Sequence, residues 1–191
     1  MFFEYLAIYI NTLAYLLPPF RQIGGKYFPF FLVLAFGNPI AILLVERFHY
    51  NPINTICIIS FLSLLAVLST IQVKKYLLLI LALTISLICI LIAGNMKFAQ
   101  IITIFITLFV LSFFIKQAAT YYRDQYSLHI GFFILSLYEL GLILKLYLAL
   151  SNVRFGMAYF YLTDIFEMLI AIFFTIYKVE DAPKIKMQKI T

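Results

Sequence analysis

Apolar residues fall along this chain in long runs, separated by charges, Pro or Gly. A helix that spans a bilayer needs about 20 mostly apolar residues at about 1.5 Å each. Seven runs approach that length: Phe3 to Phe20, Phe28 to Val45, Ile53 to Val73, Tyr76 to Ala93, Phe98 to Ile115, Ile130 to Leu150 and Ala158 to Tyr177. The pattern predicts an all-α integral membrane protein, a single bundle of seven transmembrane helices. The first run is the weakest, because it carries Glu4 and ends in Leu17-Pro18-Pro19. A signal peptide does not fit there, since no basic segment precedes the run and no small-x-small cleavage site follows it.

Composition places the chain in lipid. Of 191 residues, 65% are apolar and 12% charged, with a mean hydropathy of +1.06. Soluble chains run near half apolar and about a quarter charged. Seven helices consume roughly 140 residues, so the connections are short and sequential helices should be antiparallel neighbours. The division is residues 1–178 as the seven-helix transmembrane domain and residues 179–191 as a short basic cytoplasmic tail.

Charge then orients the bundle, because loops rich in Lys and Arg stay in the cytoplasm. One side holds Arg21, Lys26, Lys74, Lys75, Lys116, Arg123, Lys178, Lys184, Lys186 and Lys189, and the other only Arg47, Lys97 and Arg154. The split alternates through every loop, which puts the N-terminus outside and the C-terminus in the cytoplasm, in a bacterial inner membrane. The net charge of +6 is therefore a topology signal, and no nucleic-acid partner is expected. Tyr residues gathered near the run ends, Tyr27, Tyr76, Tyr121 and Tyr122 among them, read as interfacial anchors. Pro is confined to the first two runs and the loops, which argues against a transporter built from two matching broken repeats.

Ionisable residues inside the last two runs are the sharpest feature, because a charge in hydrocarbon must be paired, wet or neutralised. They are Glu139, Lys145, Asp164 and Glu167. Glu139 and Glu167 fall at about the same depth, near the midplane. Lys145 lies about 9 Å above Glu139, and Asp164 about 4.5 Å above Glu167 on one face. The expected geometry is a Lys145–Asp164 ion pair over a Glu139–Glu167 carboxylate pair that shares a proton. It serves either as a proton or cation site or as a polar clasp between helices six and seven. Gly37-Asn38-Pro39 should bend the second helix at the same depth, so Asn38 joins the candidate binding cluster.

Cys57 and Cys89 read as free thiols packed like small hydrophobes, and His49 and His129 lie on opposite sides of the membrane. No catalytic, metal or cofactor motif appears, and none is expected. The stretch Arg123-Asp-Gln-Tyr-Ser-Leu-His129 resembles the Arg-x4-6-His signature of HEPN ribonucleases over seven residues. That likeness implies a soluble helical bundle, whereas here the pattern sits in a loop entering a span. Seven helices with the N-terminus outside also resemble bacterial heptahelical sensor modules. A retinal Schiff base of the rhodopsin kind is excluded in the seventh span, which has no Lys. The first expectation is a non-enzymatic sensor-like or accessory subunit, binding other membrane subunits or a second copy of itself within the lipid bilayer. The alternative is a small transporter or channel for protons, cations or small solutes that uses the midplane carboxylates. A water-accessible cavity reaching Glu139 and Glu167 would separate the two.

Overall fold

The computed structural model describes residues 2–68, 70–151 and 157–186. Its helices are α1 (Phe2–Tyr15), α2 (Pro18–Gln22), α3 (Phe28–Phe48), α4 (Pro52–Val67), α5 (Thr70–Lys75), α6 (Leu77–Ala93), α7 (Met96–Gln125), α8 (Ile130–Leu150) and α9 (Met157–Ile176). Two three-residue strands, β1 (Ser127–His129) and β2 (Lys184–Lys186), pair antiparallel. Helices α3, α7 and α8 are long and apolar enough to cross a membrane, and α4 and α6 are shorter apolar helices. Large apolar side chains such as Phe36, Leu43, Leu78, Ile92, Leu144 and Leu169 stand exposed around the bundle. A soluble surface does not carry that much, and a membrane location is consistent with it.

Helix ends follow local chemistry. Asn51 Oδ1 accepts the N–H of Ile53 beside Pro52, capping α4, and Asn95 Oδ1 accepts that of Phe98, capping α7. Helix α6 stops at Gly94, in the left-handed region at φ 63°, where its N–H bonds to the carbonyl of Ile90.

Three expected runs have other bounds. The first divides after Tyr15, because Pro18 and Pro19 lack N–H groups and disfavour helix before them. The third ends at Leu68, whose backbone is extended (ψ 133°), and α5 follows separately. The fifth continues through Lys116 and Arg123 to form the 30-residue α7, about 45 Å long. Charge marks where hydrocarbon ends, but Lys116 to Gln125 contain no Gly or Pro to stop a helix.

Helix α7 packs along both α8 and α4, α4 packs along α3, and α9 lies against α1 and α2 while touching α8 only lightly. The expectation that α8 and α9 are close neighbours is thus met only at a light contact. The packing partners of α9 come from the other end of the sequence. Helix α3 runs through Pro39 as one helix. Gly37 sits where a Cβ would lie 3.0 Å from Ile59 Cγ2, so its missing side chain lets α3 and α4 approach.

At the end of the bundle bearing Lys26 and Arg123, aromatic rings fill the core. Phe31 meets Phe174 at 4.9 Å between ring centroids, Phe30 meets Phe114 at 5.5 Å, and Tyr27 meets Phe132 at 5.7 Å, tying α3, α7, α8 and α9 together. Residues 179–186, read from sequence as the start of a tail, are knitted to this end. Fully buried Gln22 donates to the carbonyls of Phe174 and Tyr177 and accepts the N–H of Val179. Glu180 Oε1 accepts the N–H of Lys26 at 2.7 Å. A Cβ at Gly131 would lie 2.9 Å from that of Ala182, so this glycine admits the returning chain.

Candidate functional site

The candidate site is built on α8 and α9 and completed by α1, α3 and α4. Asp164 and Glu167, three residues apart, share one face of α9, and Lys145 reaches them from α8. Lys145 Nζ is 2.5 Å from Glu167 Oε1 and 3.3 Å from Asp164 Oδ1. The expected Lys145–Asp164 pair forms, with Glu167 as the nearer partner. Asn11 of α1 donates from Nδ2 to Glu167 Oε2 at 3.1 Å, which leaves both oxygens of that carboxylate engaged. The expected Glu139–Glu167 pair is therefore replaced by a Lys145–Glu167–Asn11 cluster. The reason is reach: a Lys side chain spans a turn of helix and delivers a full charge, which outbids a shared proton.

Glu139 is 3% exposed, and among the described residues no cation or hydrogen-bond donor partners it. It faces a cavity of about 220 Å³ whose wall also includes Lys145, Glu167, Asn38, Ser63 and Thr107. A second cavity of about 530 Å³ lies beyond Glu167, walled by Asp164, Asn11, Asn38 and Glu46 together with apolar Ile42 and Ile56. Asn38, Ile56 and Glu167 line both, so these three residues stand between the two cavities. At the rim of the larger one, Tyr9 Oη donates to Glu46 Oε1 at 3.4 Å.

All five residues singled out from the sequence thus border one pair of cavities. Sequence reasoning missed Asn11, Tyr9 and Glu46. An amide inside the first apolar run was a usable signal for Asn11, since an unpaired amide in hydrocarbon is costly. Glu46 gave none, because beside Arg47 it reads as an ordinary helix end.

The other candidates separate. Cys57 is buried on α4, Cys89 is exposed on α6, and both are free. Arg123 is exposed and pairs with Asp124, whereas His129 is buried, so the two members of the HEPN-like pattern do not form one site. His129 Nε2 lies 3.4 Å from the carbonyl of Glu180, and its ring rests between Tyr121 and Phe132. Burial lowers its pKa from the usual value of 6.5, with nearby Lys184 acting the same way and the Glu180 carbonyl opposing. Among the described residues no group of three His, Cys, Asp or Glu is placed to hold a metal ion. Comparison of the chain with protein families, characterised proteins and solved structures gives no match.

Proposed function

We propose that this chain is a non-enzymatic membrane protein of seven spans, N-terminus outside and C-terminus in the cytoplasm of a bacterial cell, that carries a small cation or proton through the bundle. The observation that carries this reading is that Glu167 and Asn38 stand between two cavities, with a further carboxylate on each side, Asp164 on one and Glu139 on the other. A clasp that served only to hold helices would be sealed by packing, because each void forfeits contacts. One buried carboxylate and two half-buried ones beside free volume, with the ammonium of Lys145 among them, instead suit an ion or proton route. The alternation of basic loops supports the orientation.

The test is reconstitution of the pure protein in liposomes that hold a pH-sensitive dye, with an imposed proton or cation gradient. Flux that Glu167→Gln abolishes is the expected outcome. Absence of flux for every cation and for protons would overturn the reading. It would leave the accessory-subunit reading, which one observation favours: α6 packs chiefly on α7, α4 and α5 among the described residues, and presents an apolar face to a partner helix or lipid.

A further inference from the structure

Resting on the transport reading above, we propose that the cargo is a small organic ammonium ion, bound first at Asp164 and Asn11 in the larger cavity and then at Glu139 in the smaller one. Four observations lead there. The carboxylates of Asp164 and Glu167 already hold an –NH3+ group, the head of Lys145, so their geometry accepts an alkylammonium. Two carboxylates face that single ammonium, which leaves the cluster one positive charge short in a medium where imbalance is costly. Asn11 borders the larger cavity, and its Oδ1 lies buried behind the surface with no hydrogen-bond partner among the described residues, an acceptor that an N–H entering with a small side-chain shift would satisfy. Glu139, almost fully buried and unpartnered among the described residues, faces the smaller cavity with its acceptor oxygens unused.

Volume and lining choose an organic cation over a bare metal ion. A cavity of about 530 Å³ is in the range of small-molecule pockets, commonly about 300–1,000 Å³. Its polar groups cluster near Asp164, Glu167 and the two asparagines, while Ala41, Ile42, Val45 and Ile56 line its sides. A metal ion would leave those sides empty. An ammonium head with a short alkyl body satisfies both surfaces. The smaller cavity, at about 220 Å³, then limits the cargo to a few carbons if it is to pass Asn38 and Glu167.

Lys145 is a positioning residue in this scheme. It holds Glu167 at the boundary and repels a second cation until that cation is met by Asp164. Removing its charge should therefore strengthen binding, the opposite of what a structural clasp would do.

The experiment uses the full chain in lipid nanodiscs, titrated calorimetrically with propylammonium, and the same protein in liposomes for uptake of the labelled ion. Wild type should bind propylammonium without competition from Na+ or K+, and tetrapropylammonium should fail to compete. Asp164→Asn should weaken binding on the order of tenfold, as loss of one member of a desolvated charge pair does. Lys145→Met should tighten it by a similar factor, on the order of tenfold. Glu139→Gln should lose uptake of the labelled ion. The wild-type competition series stands even where a variant does not fold. Proton or Na+ flux with no propylammonium binding would overturn the cargo while leaving the transport reading intact. Unimpaired uptake by Glu139→Gln would overturn the second station. Weaker binding by folded Lys145→Met would overturn the role given to Lys145. Loss of flux for every cation would instead remove the transport reading itself.

Discussion

His129 shows how much one side chain is decided by its neighbours. From sequence it is a histidine at a loop edge, and in the fold it is 1% exposed, held between two aromatic rings with Nδ1 lacking a partner among the described residues. Such a site stabilises the neutral ring. The unfolded chain protonates near the ordinary value of 6.5 and the folded chain only at lower pH, so between the two the unfolded state binds more protons. Stability that His129 contributes is present above that value and is lost as pH falls from 6.5 through the lowered one. Thermal unfolding in detergent followed from pH 7.5 downward should show this loss, and His129→Phe should flatten the profile. A slope unchanged in the variant would assign the dependence to another group. Gly131 is equally contextual: its role is to leave room for Ala182, a residue 51 positions away.

Among elements, the starts of α4 and α7 and the end of α6 were legible, because Asn51-Pro52, Asn95 and Gly94 act on backbone groups within a turn of themselves. The break in the first run was also written there, in Pro18-Pro19, although a hydrophobicity count runs straight across it. The end of α9 was read to within one residue, at Tyr177 against Ile176, but the groups that satisfy it were not legible. Its last carbonyls at Phe174 and Ile176, and that of Tyr177 just beyond, are met by Gln22 and Arg21, which lie more than 150 residues earlier. Strand β2 pairs with β1 in the same region, Ser127 opposite Lys186 and His129 opposite Lys184. Three-residue strands carry too little pattern to read, and only proximity creates them. A chain stopped after Tyr177 strands Gln22 Oε1 and removes both Glu180 and β2. Its melting midpoint in detergent should fall, with a loss of about 1–3 kcal/mol from the buried amide alone. A midpoint equal to that of the full chain would show that the returning segment adds nothing to the bundle.

For the molecule as a whole, the proposed orientation rests on the cations and can be tested directly. On a background lacking Cys57 and Cys89, a cysteine at residue 97 should react with an impermeant thiol reagent on intact cells, and one at residue 75 only after the membrane is opened. Labelling of residue 75 from outside would reverse the topology. The chain by itself determined that several helices are long and apolar enough to cross a membrane, where most helices begin and end, and which residues are too polar to face hydrocarbon. These are properties of each residue's own transfer energy and of its neighbours within a turn. Tertiary structure alone decided the rest. Depth along neighbouring helices brought Lys145 to Asp164, but rotation about each helix axis, set by packing, gave the shorter contact to Glu167 and left Glu139 facing free volume. It also placed α9 against α1 and α2, so that Asn11 could reach Glu167 across 156 residues of sequence. Hydrophobicity fixes how deep a residue lies in the membrane; it does not say which way a helix that is apolar on every side will turn, and the site depends on that rotation.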